Sequence, residues 1–310
     1  MSRNALKMTS KLDFIETSYQ KHAASYANYM HGEEKHLHAQ TWLASNNVNA
    51  YRIQRLYALL DPFISSFPEA RWLTVGDGRY GADAIYLKQK GAHVLPTDIS
   101  DDLLKEAKAC GLIEDYKKEN AENLSFPNNH FDFVFCKEAY HHFPRPSIAL
   151  YEMLRVAKRG VILIEPIDRE ILPWQQTLTL KLKNKLKKVL NKSVERDFFE
   201  EDGNYLYAIS KRECEKFALG LGLPEIVFKG INDIYIPGFE YAKLENNNLL
   251  FKKMKRKLAF YNFFSSLKLI PYNLLFSVIL KQELTQVQKN ALNGLGYECI
   301  TLPKNPYIKD

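Results

Sequence analysis

Trp72-Leu73-Thr74-Val75-Gly76-Asp77-Gly78-Arg79-Tyr80-Gly81 and, after a segment of helical composition, Ala92-His93-Val94-Leu95-Pro96-Thr97-Asp98-Ile99-Ser100 decide the fold class of this 310-residue chain. An apolar run that breaks into glycines, then a helix, then a second apolar run ending in an acid is the pattern of a β–α–β unit closed around a nucleoside. Gly76 and Gly78 permit a sharp turn and a close approach of backbone to ligand, and the helix that follows aims unpaired N–H groups at an anionic end. Asp98, at the tip of the second strand, stands where a carboxylate accepts from both ribose hydroxyls. An adenosine-containing cofactor is therefore expected. The glycines taken alone are less specific, because Gly76, Gly78 and Gly81 also satisfy the G-x-G-x-x-G of a nicotinamide dinucleotide site, and a tight turn with no ligand is the plainer alternative.

The segments downstream separate the cofactors. Glu119-Asn120-Ala121-Glu122-Asn123-Leu124-Ser125-Phe126-Pro127 leads into Phe131-Asp132-Phe133-Val134-Phe135-Cys136 and Tyr140-His141-His142-Phe143. After a helical stretch come Leu154-Arg155-Val156-Ala157-Lys158-Arg159-Gly160 and Val161-Ile162-Leu163-Ile164-Glu165-Pro166. This ordered series resembles the class I S-adenosylmethionine-dependent methyltransferases over about residues 70–166, and nicotinamide enzymes have no reason to show it. The resemblance implies S-adenosyl-L-methionine as cofactor, with Gly76 and Gly78 flanking its methionine end, Asp98 on the ribose and Ile99 against the adenine. It also implies Asn120 and Ala121 at the adenine edge and Cys136 and Lys137 under the sulfonium. Two positions depart from the family. Thr74 stands where it usually has an acid, and Tyr80 where it has a third glycine, with Gly81 one place late. The loop is expected to take a different path here, with Asp77 or Arg79 making the contact of the missing acid.

Composition agrees with a soluble enzyme: 46% hydrophobic and 25% charged residues over this length can bury a full core. Cys110, Cys136, Cys214 and Cys299 form no C-x-x-C pair, so neither zinc nor a disulfide framework is indicated and a reducing cytoplasm is expected. His36 and His38, two apart, point to different faces of a helix, and no metal site is expected. The N-terminus lacks the pattern of a signal peptide, and no apolar run reaches the roughly 18 residues of a membrane span. The net charge of +7 is unevenly spread, with lysines concentrated at 181–192 and 252–257. In the first cluster Leu182, Leu186, Val189 and Leu190 share a helical face, the pattern of a packed apolar stripe with a solvated basic back. Binding of nucleic acid, of anionic lipid or of a phosphorylated substrate is the alternative, as is peripheral membrane contact for the aromatic-rich 258–280, otherwise read as a buried helical pair.

The fold class expected is α/β, a doubly wound, Rossmann-like, mostly parallel seven-stranded sheet with helices on both faces, plus N-terminal helices and a helical C-terminal addition. Residues 1–69 read as an N-terminal helical cap, with a helix over 50–60 and an unstructured Met30-His31-Gly32; 70–238 as the methyltransferase core; 239–292 as a helical insertion or appendage; and 293–310 as the last strand and a tail. Ser210-Lys211-Arg212-Glu213 is a capping box opening a helix ended by Gly220 and Gly222, before a strand at 225–229. Two segments compete for the antiparallel strand that ends the family's sheet, 231–236 and 297–302, with the later one preferred.

Methyl transfer from a sulfonium is an in-line displacement that depends on alignment more than on strong acids or bases. A hydroxyl or ammonium acceptor must still lose a proton, and the loop after the fourth strand offers His141, His142, Glu138 and Tyr140. Each has a structural reading beside the catalytic one: loop architecture for the histidines, helix capping or pocket lining for Glu138 and Tyr140. Tyr19 and Tyr26 lie in a segment that in the resembled family often closes over the cofactor. The lack of a recognisable nucleic-acid module favours a small-molecule acceptor, a metabolite or saccharide, methylated at oxygen or nitrogen and touched by the 137–143 loop and the appended helices together. A nucleic-acid methyltransferase using the basic segments, or a non-catalytic protein of the same fold, is the alternative.

Overall fold

The computed structural model describes residues 16–21, 23–24, 33–189, 199 and 205–307. Tyr26, Met30, His31 and Gly32 lie outside these residues, as does the end of the first basic cluster beyond Val189.

β1 (Arg71–Val75) forms the centre of the sheet, paired in parallel with β2 (His93–Asp98) on one side and β4 (Phe131–Lys137) on the other. β3 (Lys117–Lys118) extends the sheet beyond β2, and β5 (Ala157–Pro166) pairs in parallel with β4. Next to β5 runs β7 (Leu274–Leu280), antiparallel to it and to β6 (Glu225–Ile231), and β8 (Glu298–Thr301) closes the far edge against β6. The order is β3-β2-β1-β4-β5-β7-β6-β8. The chain order reverses between β1 and β4, and in such sheets the carboxyl ends at the reversal form the binding crevice.

Central strands buried on both faces read as unbroken apolar runs, and their alternate side chains feed two cores. Leu73, Val75, Val134, Val161, Leu163 and Ile279 pack under α6 (Pro146–Val156) and α8 (Lys211–Gly220). Trp72, Phe133, Phe135, Ile162, Phe276 and Val278 face α2 (Val48–Tyr57), α3 (Asp61–Ser66), α4 (Ala82–Gln89) and α10 (Gln286–Gly294). The doubly wound sheet expected from the sequence is present. The expected helix at 50–60 is α2, which starts two residues earlier and ends at Tyr57, and Ser210 caps α8 by accepting from the Glu213 N–H at 3.1 Å.

Three expectations need correction. Among the described residues the sheet has eight strands, not seven. The antiparallel strand beside β5 is β7, inside the stretch read as a helical insertion, so 239–292 contains α9 (Leu249–Ser266), β7 and most of α10. Segment 231–236 forms no strand beyond Ile231, and 297–302 supplies β8, the outer edge. The cause is that Leu274-Leu275-Phe276-Ser277-Val278-Ile279-Leu280 is buried at every position, and periodicity cannot tell such a run from a buried helix. Its length of seven and the Pro271 and Asn273 before it were the available arbiters.

The C-terminal addition anchors the N-terminal one. Asn47 caps α2, accepting from the Ala50 N–H at 2.7 Å, and its amide donates to the Glu240 carbonyl at 2.8 Å. Val48 packs with Phe239, Phe251, Met254 and Leu258. Phe276, fully buried between the rings of Phe63 and Tyr297 at 5.8 and 5.6 Å, is the keystone of that side of the core. Phe276→Ala is expected to lower the unfolding free energy by about 3–5 kcal/mol in urea titration, whereas Val287→Ala, at a position 78% exposed, should stay within about 0.5 kcal/mol.

Candidate active site

The carboxyl ends of β1, β2 and β4 open into a cavity of about 320 Å³, covered by residues of the 41–57 stretch and by Tyr19. Its floor depends on two glycines. Gly76 has φ +76°, and a Cβ there would lie 2.3 Å from the Ala139 Cβ, so only glycine lets the loop after β1 pack on the loop after β4. A Cβ on Gly78 would lie 2.8 Å from the Asp98 carboxyl carbon. The Gly78, Ile99 and Ser100 N–H groups donate to that carboxylate, the last at 2.8 Å. Burial outweighs these bonds and pushes the Asp98 carboxyl up to about 6.

Asp77 lies inside the turn, directed at Thr74 and at the start of α4. Its carboxylate accepts from Thr74 Oγ1 at 2.8 Å and from the Asp83 and Ala84 N–H groups at 3.1 and 2.9 Å, capping α4 from upstream. Gly81, at the N-cap position itself, has φ +68° and no side chain to cap with. Tyr80 holds φ +60° where the resembled family has glycine; its ring is 1% exposed, in a cluster with Leu103, Leu104 and Ile113 that offsets a strain of about 1–2 kcal/mol. Arg79 lines the cavity with its guanidinium 4.9 Å over the Trp42 ring.

A charged network crosses from the glycine loop to the loop after β4. Asp83 accepts from Tyr57 Oη at 2.7 Å and pairs with Lys137 Nζ at 3.2 Å. Burial works to lower the Lys137 ammonium, but Asp83 and Glu138 hold it above its ordinary value. Glu138 adopts φ +49°, and its carboxylate lies 3.8 Å from Arg52. Burial works to raise it, yet Lys137, Arg52 and Arg79 keep it below the usual carboxylate range, so it stays ionised. Arg52 in turn grips Asp233, with Nε 2.8 and 2.7 Å from the two oxygens, and donates to Asn49 at 3.1 Å.

The remaining residues of the loop are organised by Glu165, fully buried at the end of β5. One oxygen accepts from the Ala139 and Tyr140 N–H groups at 3.0 Å, and the other contacts His141 Nδ1 at 2.5 Å. The His141 and His142 rings lie with centroids 3.9 Å apart.

Of the residues singled out from the sequence, Gly76, Asp77, Asp98, Ile99, Ala121, Lys137, Glu138 and His142 line the cavity together. Gly78 and Gly81 shape the loop behind it, and His141 stands behind His142. Tyr140 is a core residue, 1% exposed, with its phenol driven far up by burial. Cys136 is fully buried below the floor, its thiol raised for the same reason, and Asn120 spends its side-chain oxygen on the Glu122 N–H at 2.9 Å. Neither is a wall residue. Asn49, Arg52, Tyr57, Asp83 and Glu119 line the cavity without having been singled out. Asp83 was within reach of a reading, since it opens the helix after the glycines; Asn49, Arg52 and Tyr57 carry no local signal, because only the tertiary fold brings α2 over the sheet.

A doubly wound sheet with an acid at the tip of β2 and a glycine turn after β1 defines a nucleoside-cofactor domain. A family profile described as "Methyltransferase domain" matches residues 73–164. The 2-methyl-6-phytyl-1,4-hydroquinone methyltransferase of Synechocystis sp. is 34% identical over 100 residues, a match covering 31% of each chain, so this chain spans about a third of that relative's length. Among solved structures, magnesium protoporphyrin IX methyltransferase from Synechocystis, determined with S-adenosylhomocysteine bound, is similar at TM-score 0.45 and 15% identity, covering 74% of this chain and 84% of that one. An S-adenosylmethionine-dependent methyltransferase from Methanosarcina mazei is similar at TM-score 0.44 and 20% identity, covering 72% and 98%. The chain carries a class I S-adenosylmethionine-dependent methyltransferase domain.

Glu165→Ala removes the acceptor for two backbone N–H groups and an imidazole. It is expected to cost about 2–4 kcal/mol of unfolding free energy and to speed amide hydrogen exchange in 137–143 selectively, with exchange in β2 unchanged.

Proposed function

We propose that the chain transfers a methyl group from S-adenosylmethionine to oxygen or nitrogen of a small-molecule acceptor, a metabolite or saccharide. The observation that carries the reading is the Asp98 carboxylate, pinned against Gly78 in the cavity that also takes in Glu138 and His142. S-adenosylmethionine, when bound, supplies a methyl on a sulfonium open to in-line displacement. Asp98 accepts from the ribose hydroxyls, Ile99 and Ala121 pack on the adenine, and the Gly76 turn leaves room for the methionine end beside Lys137 and Arg79. Five acids (Asp77, Asp83, Asp98, Glu119, Glu138) against three bases (Arg52, Arg79, Lys137) line a cavity in a chain of net charge +7. That local excess of acid suits a cationic sulfonium and repels a polyanionic acceptor, which supports a small molecule over nucleic acid. The Synechocystis relative, named for a hydroquinone acceptor, agrees.

The acceptor enters between the loop after β4 and α2. Residues up to 69 serve as the cap, which the C-terminal addition buttresses through Asp233 and Arg52. His142 takes the acceptor's proton, and His141, fixed by Glu165, positions it. Glu138, held ionised among cations, is a weak base and orients the acceptor instead. The four free thiols, two of them buried, suit a reducing cytoplasm.

Calorimetry with S-adenosylhomocysteine tests the cofactor assignment: binding is expected, and binding of NAD in its place overturns it. Asp98→Ala should weaken that binding at least about tenfold, since each hydrogen bond to a charged acceptor contributes about 1.5–3 kcal/mol. Asp98 protonates as pH falls through about 6, above the ordinary carboxylate value, and the ionised form is the stronger acceptor. Affinity should therefore be full above about pH 7 and fall below 6, by up to about tenfold per pH unit, with the slope abolished in Asp98→Asn. His142→Gln should lower kcat by about 10²–10⁴ and leave S-adenosylhomocysteine affinity unchanged. Labelled cofactor incubated with cell extract should mark a low-mass or glycan fraction; label confined to RNA or DNA overturns the small-molecule reading.

A further inference from the structure

Two surface segments stand outside the cavity and share one composition. Residues 171–189 carry five lysines and 246–282 carry seven lysines and arginines, and neither stretch holds a single Asp or Glu, although the chain has 36. α7 (Trp174–Val189) presents Trp174, Leu178, Lys181 and Lys185 at helical spacing along one face, and Ile171 precedes them in register. Ile171, Trp174 and Leu178 are 62, 72 and 51% exposed. α9 turns Phe251, Met254, Leu258 and Ser265 inward and Lys253, Arg256, Lys257, Phe260 and Phe263 outward, with Leu267 exposed just past its end. Its outer face is thus basic in the first half and apolar in the second. The turn that follows α9 meets α7, where Thr179 Oγ1 donates to the Leu269 carbonyl at 2.7 Å.

We propose that α7 and α9 form a peripheral docking surface for an anionic lipid bilayer, the exposed Trp, Phe, Leu and Ile side chains entering the headgroup boundary and the flanking lysines resting on lipid phosphates. Charge complementarity selects the partner. An isologous contact with a second copy would set these acid-free basic arms against themselves. Nucleic acid would satisfy the lysines but gains nothing from exposed Leu178, Leu267 and Ile171, which neither stack on bases nor hydrogen-bond. An interfacial helix combines these residue types: basic side chains toward phosphate, large apolar side chains toward acyl chains. The surface is also joined to the cavity wall. On the inner side of α9, Asn262 and Ser265 hydrogen-bond Asn232 at 3.0 and 3.1 Å, and the next residue, Asp233, holds Arg52. Docking therefore steadies the wall that faces the acceptor.

The test uses the full chain and vesicles of phosphatidylcholine alone or mixed with phosphatidylglycerol, separated by sedimentation. Binding to the mixed vesicles is expected, at least about tenfold weaker to the neutral ones. Phe260→Ser with Phe263→Ser, and separately Lys253→Glu with Arg256→Glu and Lys257→Glu, should each weaken it at least about tenfold. Both variants should keep the parent's S-adenosylhomocysteine affinity and thermal midpoint. A blue shift of the tryptophan emission on vesicle addition, absent in Trp174→Phe, is the expected signature of insertion. The proposal is overturned by failure to sediment with mixed vesicles, by binding indifferent to the phenylalanine substitutions, by an RNA or DNA oligonucleotide that displaces the vesicles, or by a dimer that those substitutions dissociate.

Discussion

A carboxylate almost wholly withdrawn from water holds this site together. Asp77 sits inside the turn after β1, 3% exposed, with a hydroxyl and two helix N–H groups directed at it. Without those donors a buried carboxylate would be too costly to keep. With them it fixes the start of α4, and so the approach of Asp83 to Tyr57 and Lys137. Burial and the neighbouring Asp83 carboxyl still press its pKa well up, against the donors that work to lower it. The same reasoning explains why Lys137 remains protonated in a place where burial alone would discharge it.

Glu165 performs the matching task for the opposite wall. Its two oxygens satisfy the backbone of 139–140 and the His141 ring, so the short turn that carries His142 is clamped to the end of β5. The two walls then meet through Gly76 and Ala139, where there is space for a hydrogen but not for a methyl. The two cavity walls are thus positioned by two buried acids, one in the turn after β1 and one near the end of β5, and by one missing Cβ. Residues of this kind tolerate little substitution, because each is satisfied by several partners at once.

How much of this could be read from the residues follows from the range of the interactions. β1, the glycine turn, α4 and β2 are consecutive, and their pattern is local; Asp98 follows from the same pattern. The closeness of Asp77 to Thr74 is local in the same way, since the two are three residues apart and joined by a hydrogen bond. β7 was not, because its uniform burial erases the alternation that marks a strand, and its place between β5 and β6 is a property of the whole sheet. Nor was the sorting of the 137–143 loop. Glu138, Tyr140, His141 and His142 offered four candidates within five residues, and which of them face the cavity depends on Glu165 and on the left-handed turn at Glu138. Arg52 was invisible for a similar reason: its partner Asp233 lies 181 residues away.

That long-range pair also ties together the additions on either side of the core. α2 covers the cavity yet has few partners on the sheet's open end; it is held by Asn47 to Glu240, by Val48 in the Phe239–Met254 cluster, and by Arg52 to Asp233. Each of these partners lies after β6. The chain thus builds its cap from one terminus and its buttress from the other, and the cap's position over the acceptor end follows that of α9. α9 is joined through Asn232 and Asp233 to Arg52, and Arg52 lies 3.8 Å from Glu138 in the cavity. On the reading proposed above, a displacement of α9 would therefore be felt at the cavity wall before it is felt by the sheet, whose strands are tied to one another by their own ladders.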